Sequence, residues 1–461
     1  MASEKRTVRN FTVKVGLVLF AVCFLVPVSL LISVDPTSSV IMKELKIRSR
    51  NSGPPMCDFS SPRSDVCKLK GDVRIILRNS TVIVVGGGDP SAKHQSWRMK
   101  PHPRKNDRHA LAGVTVVSVT LTSAAELAPE CTAKHAAPAV VFSVGAYAGN
   151  MFHDFTDVLV PLYITTGRFA GDVHLLVSDA QPWWLDKYRP LLRELSRRDI
   201  IDVDRGSSTG GGVHCHPEVI VGLEFHKEMS VDAAKIAGEY SMADFARLIR
   251  RSYGLTRDTA IQLHDGGDDN GGVKEIKKMP SPRLLIISRK ATRAFTNAGA
   301  IARAAAALGY EVVFGETDHH SDLGAFAAAA NSCDAMVGVH GAGMTNLVLV
   351  QVVPLGWLGK MAREDFGAPA GDMGLRYVQY EIAVEESTLA RRYPAAVRRD
   401  GWLALRSAYL VGQNVTLDVA RFRHALLHAL HLLRHSRGSL VRSIRSLVYK
   451  VLSHHLLDIT S

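Results

Sequence analysis

The sequence predicts an α/β protein with two Rossmann-type domains facing a cleft, preceded by one N-terminal transmembrane helix. Three observations support this prediction. Short apolar runs alternate with helical stretches from about residue 57 onward, a glycine-rich segment follows one of these runs, and residues 15–34 carry no charge. A chain of 461 residues that is 46% hydrophobic is long enough to form two cores.

The uncharged segment 15–34 is the predicted signal anchor. A helix of this length covers about 30 Å, the thickness of a bilayer core. Four basic residues precede it and only Glu4 opposes them, so residues 1–14 should form a cytosolic tail. A cleaved signal peptide is the alternative, but its apolar region is usually shorter. Residues 35–56 read as a polar stem, and the rest of the chain should be lumenal.

Five cysteines follow the anchor. Cys57 and Cys67 are close enough in sequence to staple the start of the folded region. The connectivity among Cys57, Cys67, Cys131, Cys215 and Cys333 does not follow from the sequence, and an odd number leaves one thiol unpaired.

Two lumenal sequons are candidate N-glycosylation sites, at Asn79 and Asn414. A third match at Asn10 should stay silent, because the predicted topology places it in the cytosol.

The folded region divides at a segment rich in Gly, Asp and Lys. We predict an N-terminal α/β domain over residues 57–263, a linker over 264–282, and a C-terminal α/β domain with a closing helix over 283–436. The basic amphipathic tail is residues 437–461. The closing helix rests on apolar positions at helical spacing between residues 417 and 435.

Predicted strands and helices alternate most clearly in the second domain. Its predicted strands are residues 283–287, 311–314 and 335–339, and its predicted helices are residues 298–308 and 322–331. Strands that alternate with helices form a parallel sheet, and open sheets of this kind bind ligands at the carboxyl ends of their strands.

Polar groups follow two of these strands. Arg289 comes directly after the first strand, with Arg293 one turn later, and guanidinium groups match diphosphate oxygens. After the third strand, backbone and side-chain donors can surround an anion. They come from His340, Gly341, Gly343, Thr345 and Asn346. The alternatives are a tight strand-to-helix turn and ordinary surface arginines.

The net charge of +12 is spread widely along the chain. The basic residues form no stripe interleaved with aromatics, which argues against nucleic-acid binding. A sugar nucleotide or an acidic polysaccharide is a better partner, and a solvated basic surface is the alternative.

A second candidate site is the cluster of His153, Asp154 and Asp157. Helical spacing puts His153 and Asp157 on one face, so a base and an orienting carboxylate are available for proton abstraction. The sequence leaves open which of the two is the base. The alternative is a structural histidine with a solvated aspartate.

Other histidines suggest a metal site only at first sight. His214, His216 and His226 match no tetrahedral zinc spacing, so we interpret them as structural and predict no metal site. No Asp-x-Asp motif stands where a metal-dependent donor site would need it.

These motifs together resemble plant glycosyltransferase family 61, and closely its grass xylan-decorating branch. The resemblance covers nearly all of residues 57–430. The matching stretches are 63–67, 149–157, 217–223, 288–290, 331–346, 351–354, 375–377, 385–388 and 413–415.

The resemblance implies a GT-B-like fold and an inverting Golgi enzyme, a single-pass type II membrane glycoprotein. Such an enzyme transfers a pentose, arabinofuranose or xylose, from a UDP-sugar to xylan or arabinoxylan. It implies that the N-terminal domain holds the acceptor and the C-terminal domain the donor. Glu385 or Glu386 is a candidate for the ribose hydroxyls, with Glu386 preferred, and the alternative is that both acids are simply exposed. No tightly bound cofactor or divalent metal is implied, and complexes with other cell-wall glycosyltransferases are expected partners.

The chain departs from the family pattern after Asn346. Residues 347–350 lead directly to Gln351, where relatives carry a longer stretch, and Ala298 replaces an acid. A missing stretch would shorten the helix behind the anion site and weaken its dipole. The alternatives are therefore a catalytically impaired member acting as a non-catalytic Golgi partner, or a glycoprotein N-glycan xylosyltransferase.

Overall fold

The computed structural model describes much of the chain after the stem. The described residues are 56–86, 95–123, 128–208, 212–236, 240–261, 263, 281–289, 292–316, 322–340, 348–355, 359–389, 408 and 412–434. The predicted anchor and basic tail lie outside them, as do nearly all of the stem and the linker. Within the described ranges, no helix combines the length and hydropathy needed to cross a membrane. From Cys57 onward the chain forms one compact unit, and the domain boundaries stay predictions.

Ten described strands form the first sheet, in the order β4-β5-β3-β2-β10-β7-β8-β9, with β1 beside β2 and β6 beside β10. They are β1 Cys57–Asp58, β2 Val66–Ile76, β3 Thr81–Val85, β4 Ser96–Met99, β5 Val117–Thr122, β6 Ala133–Lys134, β7 Ala139–Ser143, β8 His174–Ser178, β9 Ile201–Asp202 and β10 Val213–Val221.

This sheet is mixed, so the prediction of a Rossmann-type first domain is wrong in its strand directions. Strands β10, β7, β8 and β9 pair in parallel, whereas β2 runs antiparallel to both β10 and β3. The turn Leu77–Asn79, with Ser80 at φ 50°, reverses the chain from β2 into β3. A reversal this short can join only antiparallel neighbours.

Disulfides fix the same part of the molecule. Cys57 pairs with Cys67, which their short sequence separation allows, and the bond joins β1 to β2. Cys131 pairs with Cys215 on β10, with their Cα atoms 5.8 Å apart, and Cys333 is the free, buried thiol.

The helices of the first part are α1 Arg108–Leu111, α2 Met151–His153, α3 Val160–Thr166, α4 Pro182–Leu195, α5 Val203–Ser208 and α6 Met242–Ser252. A π-helical turn, Asp154–Leu159, joins α2 to α3, and short 3-10 turns occupy Gly167–Phe169 and Ala233–Lys235.

The second sheet is wholly parallel, in the order β12-β11-β13-β14-β15, as predicted. Its strands are β11 Arg283–Ser288, β12 Glu311–Glu316, β13 Ala335–Val339, β14 Val348–Val353 and β15 Arg376–Glu381. The chain runs from β11 out to β12 and then crosses back to β13. This reversal of order between β11 and β13 is a topological switch point, where α/β sheets bind ligands.

The helices of the second part are α7 Ala298–Ala306, α8 Leu323–Asn331, α9 Gly359–Ala362, α10 Ala368–Asp372 and α11 Val419–Arg434. A π-helical turn, Arg363–Gly367, joins α9 to α10, and Val384–Glu386 forms a 3-10 turn. The closing helix α11 confirms the periodicity prediction. Its residues Phe422, Leu426 and Leu430 are buried in the core of the parallel sheet. Burying each such side chain contributes about 1.5–3 kcal/mol.

Candidate active site

The π-helical turn after α2 carries the histidine motif. The Asn150 side chain caps α2 by accepting a hydrogen bond from Phe152 N at 3.2 Å. After the three residues of α2, the helix widens into the turn Asp154–Leu159. Single π-helical turns inside helices are frequent at functional sites.

Asp157 is fully buried and is surrounded by cationic and polar donors. Its carboxylate lies 2.9 Å from His153 Nδ1, 2.6 Å from Arg104 Nε and 3.5 Å from an Arg63 terminal nitrogen. Burial on its own would raise the pKa of Asp157. The hydrogen bond with His153 and the charge of Arg104 outweigh burial and hold this pKa below the usual range. An ionised carboxylate so strongly paired is a poor proton acceptor.

His153 is therefore the base-competent member of the pair. An ionised carboxylate can only accept hydrogen bonds, so His153 Nδ1 must donate, and in the neutral ring the lone pair is then on Nε2. The ring is stacked on Tyr147 at 4.6 Å and meets the edge of Phe152 at 5.4 Å. These contacts fix the ring plane, and the side chain stays 17% exposed. The predicted pairing of His153 with Asp157 is thus present in the structure.

Asp154 points away from this pair into the core. It is buried and accepts hydrogen bonds from Gly149 N at 3.0 Å, Trp184 Nε1 at 2.8 Å and Tyr188 OH at 2.8 Å. Burial raises its pKa. The structure therefore contradicts the inclusion of Asp154 among the catalytic residues, because its carboxylate ties the helix to the core and cannot reach a substrate.

Two arginines lie at the carboxyl edge of the parallel sheet. Arg289 directly follows β11, and Arg293 donates from Nη1 to the backbone oxygen of His340 at 3.0 Å. Burial lowers the pKa of Arg289, and burial together with the Arg289 charge lowers that of Arg293 to about 10. Within the described ranges neither guanidinium forms an ion pair with a carboxylate. Two adjacent, partly buried cations favour the binding of an anion.

His340 follows β13, the strand that pairs with β11 at the switch point. Burial and the charges of Arg293 and Arg289 lower its pKa to about 3, so the ring is neutral. The Gln351 amide nitrogen lies 2.6 Å from Nδ1, and Tyr377 OH donates to Gln351 Oε1. Because that amide nitrogen donates to Nδ1, the proton of His340 sits on Nε2.

Asp365 links the His153–Asp157 pair to the residues at the carboxyl edge of the parallel sheet. The sequence analysis missed it. It lies in the π-helical turn Arg363–Gly367, 3.7 Å from His340 Nε2. Burial, followed by the negative charges of Glu228 and Glu364, raises its pKa to about 6, while Arg104 acts in the opposite direction. Asp365 stands beside Glu364 in a polar stretch, and no sequence pattern there distinguishes a buried carboxylate from an exposed one.

Aromatic packing holds the two groups together. Phe366, next to Asp365, packs 5.5 Å from the Phe152 ring and 4.9 Å from the His340 ring. His153, next to Phe152, and His340 are therefore connected through a single layer of rings. The remaining predicted donors, Gly341, Gly343, Thr345 and Asn346, lie outside the described residues and stay predictions.

Glu386 does not fit its predicted role. The buried carboxylate accepts from Tyr380 OH, Ala383 N and Asp418 N, each at 2.7 Å, and lies 3.1 Å from an Arg421 nitrogen. Both oxygens are thus engaged by donors of the protein itself. Glu386 fastens the 3-10 turn to the start of α11, which leaves no lone pair directed at a ribose.

A groove of about 820 Å³ is lined in part by Gly149, four residues before His153. Trp183 on α4, which is 43% exposed, also lines it. The other lining residues are Ala148, Asp186, Lys187, Pro190, Tyr253, Asp322, Leu323 and Gly324.

The comparisons with known proteins give the family of this chain. The family described as Glycosyltransferase 61 matches residues 151–352, a range that contains His153, Asp157, Arg289 and His340. A rice protein (Oryza sativa subsp. japonica) named Beta-1,2-xylosyltransferase XYXT1 is 40% identical over 408 residues, which cover 82% of this chain and 84% of that protein.

The chain belongs to glycosyltransferase family 61.

Two further relatives place it within the family. The rice protein named Alpha-1,3-arabinosyltransferase XAT3 is 43% identical over 392 residues, or 82% of this chain, which spans 65% of that relative's length. The Arabidopsis thaliana protein named Xylan glycosyltransferase MUCI21 is 30% identical over 395 residues, covering 81% of this chain and 78% of that protein. The resemblance to the grass branch of family 61 is confirmed.

Proposed function

We propose that this family 61 chain is an inverting pentosyltransferase that moves arabinofuranose or xylose from a UDP-sugar to xylan or arabinoxylan. The observation that carries the proposal is the His153–Asp157 pair, 2.9 Å apart. The arginines Arg289 and Arg293 support it, because within the described residues neither forms an ion pair with a carboxylate. The names of the relatives suggest the sugar and the acceptor class.

The proposed step requires one proton transfer. An acceptor hydroxyl attacks the anomeric carbon of the pentose while His153 Nε2 takes its proton, and Asp157 holds the ring and stabilises the imidazolium. The bond from the anomeric carbon to the diphosphate breaks, and its electrons leave with UDP. Arg289 and Arg293 stabilise the charge that develops on the diphosphate, which needs no divalent metal.

The groove at Gly149 is the proposed acceptor path. An indole offers a large apolar face with a polar edge, and Trp183 presents it beside the motif that carries the base. If xylan lies there, Trp183→Ala should raise the KM for xylan oligomers while leaving UDP affinity unchanged. An unchanged KM would remove the groove from the acceptor path.

The predicted topology puts this chemistry in the Golgi lumen, with a single-pass type II anchor and possible partners among other cell-wall glycosyltransferases.

The decisive experiment presents the full chain in detergent with a panel of UDP-sugars and with xylan oligomers. We expect UDP release and pentose addition from UDP-arabinofuranose or UDP-xylose. UDP binding without transfer to any acceptor would favour a non-catalytic Golgi partner, and transfer to an N-glycan instead of xylan would favour the glycoprotein xylosyltransferase.

A further inference from the structure

Three histidines from distant parts of the chain meet on one face of the first sheet. His214 and His216 are two residues apart on β10, so their side chains point to the same face. His135 follows β6, which pairs in parallel with β10, and its backbone nitrogen donates to Cys215 O at 2.9 Å. We call these three residues the histidine cluster. His135 lies 79 residues before His214, so no local spacing reveals the cluster.

The ring nitrogens of the cluster lie close together. The His135 ring is stacked on those of His214 and His216, with centroids 5.1 and 4.4 Å apart, so binding one ion requires the rings to rotate. One ring nitrogen from each histidine lies within 4.8 Å of the other two. His135 Nε2 and His214 Nδ1 are 3.1 Å apart. A tetrahedral zinc site with Zn–N bonds of about 2.0–2.1 Å has ligand atoms roughly 3.3 Å apart, so this pair already has the required separation.

His216 is oriented like a metal ligand. Its side chain is 3% exposed, and its Nδ1 lies 2.9 Å from the backbone oxygen of Ala137. Nδ1 therefore carries the proton, and Nε2 is left with a lone pair, buried and without a hydrogen-bond partner. Metal-binding histidines typically donate their second nitrogen to a carbonyl or carboxylate in this way.

Two neighbouring side chains border the histidine cluster. Arg198 contributes positive charge nearby, but it is bonded to Asp172 at 2.7 Å. The ring of His174 packs 4.5 Å from that of His135 and closes one side.

We infer that the histidine cluster binds one divalent transition-metal ion, with zinc the best match and water in the fourth position. Three imidazole nitrogens select zinc, cobalt or nickel, whereas calcium and magnesium require oxygen ligands. The ion would join the end of β6 to β10 beside the Cys131–Cys215 disulfide and stabilise this part of the sheet. The inference does not depend on the proposed transferase activity.

The test is a titration of the untagged, chelator-treated full chain with zinc chloride, followed by cobalt chloride as a spectroscopic probe. We expect one zinc ion per chain, a cobalt absorbance typical of tetrahedral coordination, and a rise in Tm with zinc. His135→Ala and His214→Ala each remove a half-buried ring. Losing a residue that only hydrogen-bonds a metal ligand weakens metal binding about 10–100-fold, so losing a ligand itself should weaken zinc binding by at least this factor.

The matched control is His428→Ala, because His428 and His431 form a histidine pair on α11, with ring centroids 6.5 Å apart. This variant should bind zinc as the wild type does. The inference is wrong if the wild type binds neither ion, or if His135→Ala and His214→Ala, shown to be folded by circular dichroism, keep wild-type affinity. In either case the rings are held by stacking and an N–H···N bond alone.

Discussion

His153 and Asp157 lie four residues apart where α2 widens into the π-helical turn, with Nδ1 of the imidazole 2.9 Å from the carboxylate. Arg104 Nε lies 2.6 Å from the same carboxylate oxygen, and an Arg63 terminal nitrogen lies 3.5 Å from the other oxygen. The arrangement fixes the tautomer and plane of the imidazole and leaves its Nε2 for a substrate. The four residues should therefore act as a unit.

A double-mutant cycle tests whether they do. Asp157→Asn removes the charge that selects the Nδ1–H tautomer and leaves Arg104 with a weaker partner, so the transfer rate should fall strongly. Groups that act as a unit are non-additive. We expect the double variant with His153→Gln to be scarcely slower than either single variant. Defects in kcat that simply multiply would contradict the pairing.

Arg289 provides a test of the anion site. Arg289→Ala should weaken UDP binding by about 1.5–3 kcal/mol for each charge-assisted hydrogen bond that is lost. Arg289→Lys should recover only part of the affinity, because an ammonium group cannot form the bidentate contact. The control is Arg303→Ala, an exposed arginine on α7. Calorimetry that gives equal UDP affinity for all four proteins would exclude Arg289 from the diphosphate site.

Asp365 should make stability depend on pH. Its pKa in the folded protein is about 6, above the ordinary value of 3.8, so the folded state binds this proton more tightly than the unfolded chain does. The contribution of this proton to the free energy of unfolding is full below about pH 3.8 and is lost as the pH rises through about 6. Asp365→Asn cannot ionise, so its stability relative to the wild type should increase between these values and then level off.

Denaturant unfolding at several pH values measures this difference. Glu364→Gln, which removes a smaller influence on the same pKa, is the control and should change the profile less. A constant difference between Asp365→Asn and the wild type across the range would show that Asp365 has an ordinary pKa.

Glycan occupancy tests the predicted topology. Asn79 is exposed in the turn between β2 and β3, so a glycan fits there. Asn414 is half-buried, and its side-chain oxygen accepts from Ala294 N at 3.0 Å, so the folded chain should resist modification there. Treatment with an N-glycosidase should shift the mobility of the wild type, and Asn79→Gln should abolish most of this shift. A glycan on Asn10 would overturn the predicted orientation.

The sequence predicts the parallel sheet and α11 well, because both follow from local periodicity. The predicted helix over residues 417–435 is observed as Val419–Arg434. The mixed first sheet was missed because strand direction there depends on the pairing of β2 with β10, which is far along the chain.

Among the site residues, too, contacts between sequence neighbours are predictable and contacts between distant residues are not. His153 and Asp157 are four residues apart, so their contact follows from helical spacing alone. The contact of Asp365 with His340, the burial of Glu386 among its donors and the meeting of His135 with His214 depend on the tertiary fold. No periodicity in the sequence reports such long-range contacts.

The most direct test of the account compares transfer and donor binding in His153→Gln. Glutamine keeps the size and some hydrogen bonding of histidine but cannot accept the proton, and loss of a general base typically costs about 10²–10⁴-fold in rate. His109→Gln is the matched control, an exposed histidine 6.2 Å from the same Tyr147 ring. We predict that His153→Gln loses pentose transfer while binding UDP nearly as the wild type does, and that His109→Gln retains both. Transfer by His153→Gln at the wild-type rate would contradict the assignment of the base, and a wild-type chain that binds UDP without any transfer would contradict catalysis itself.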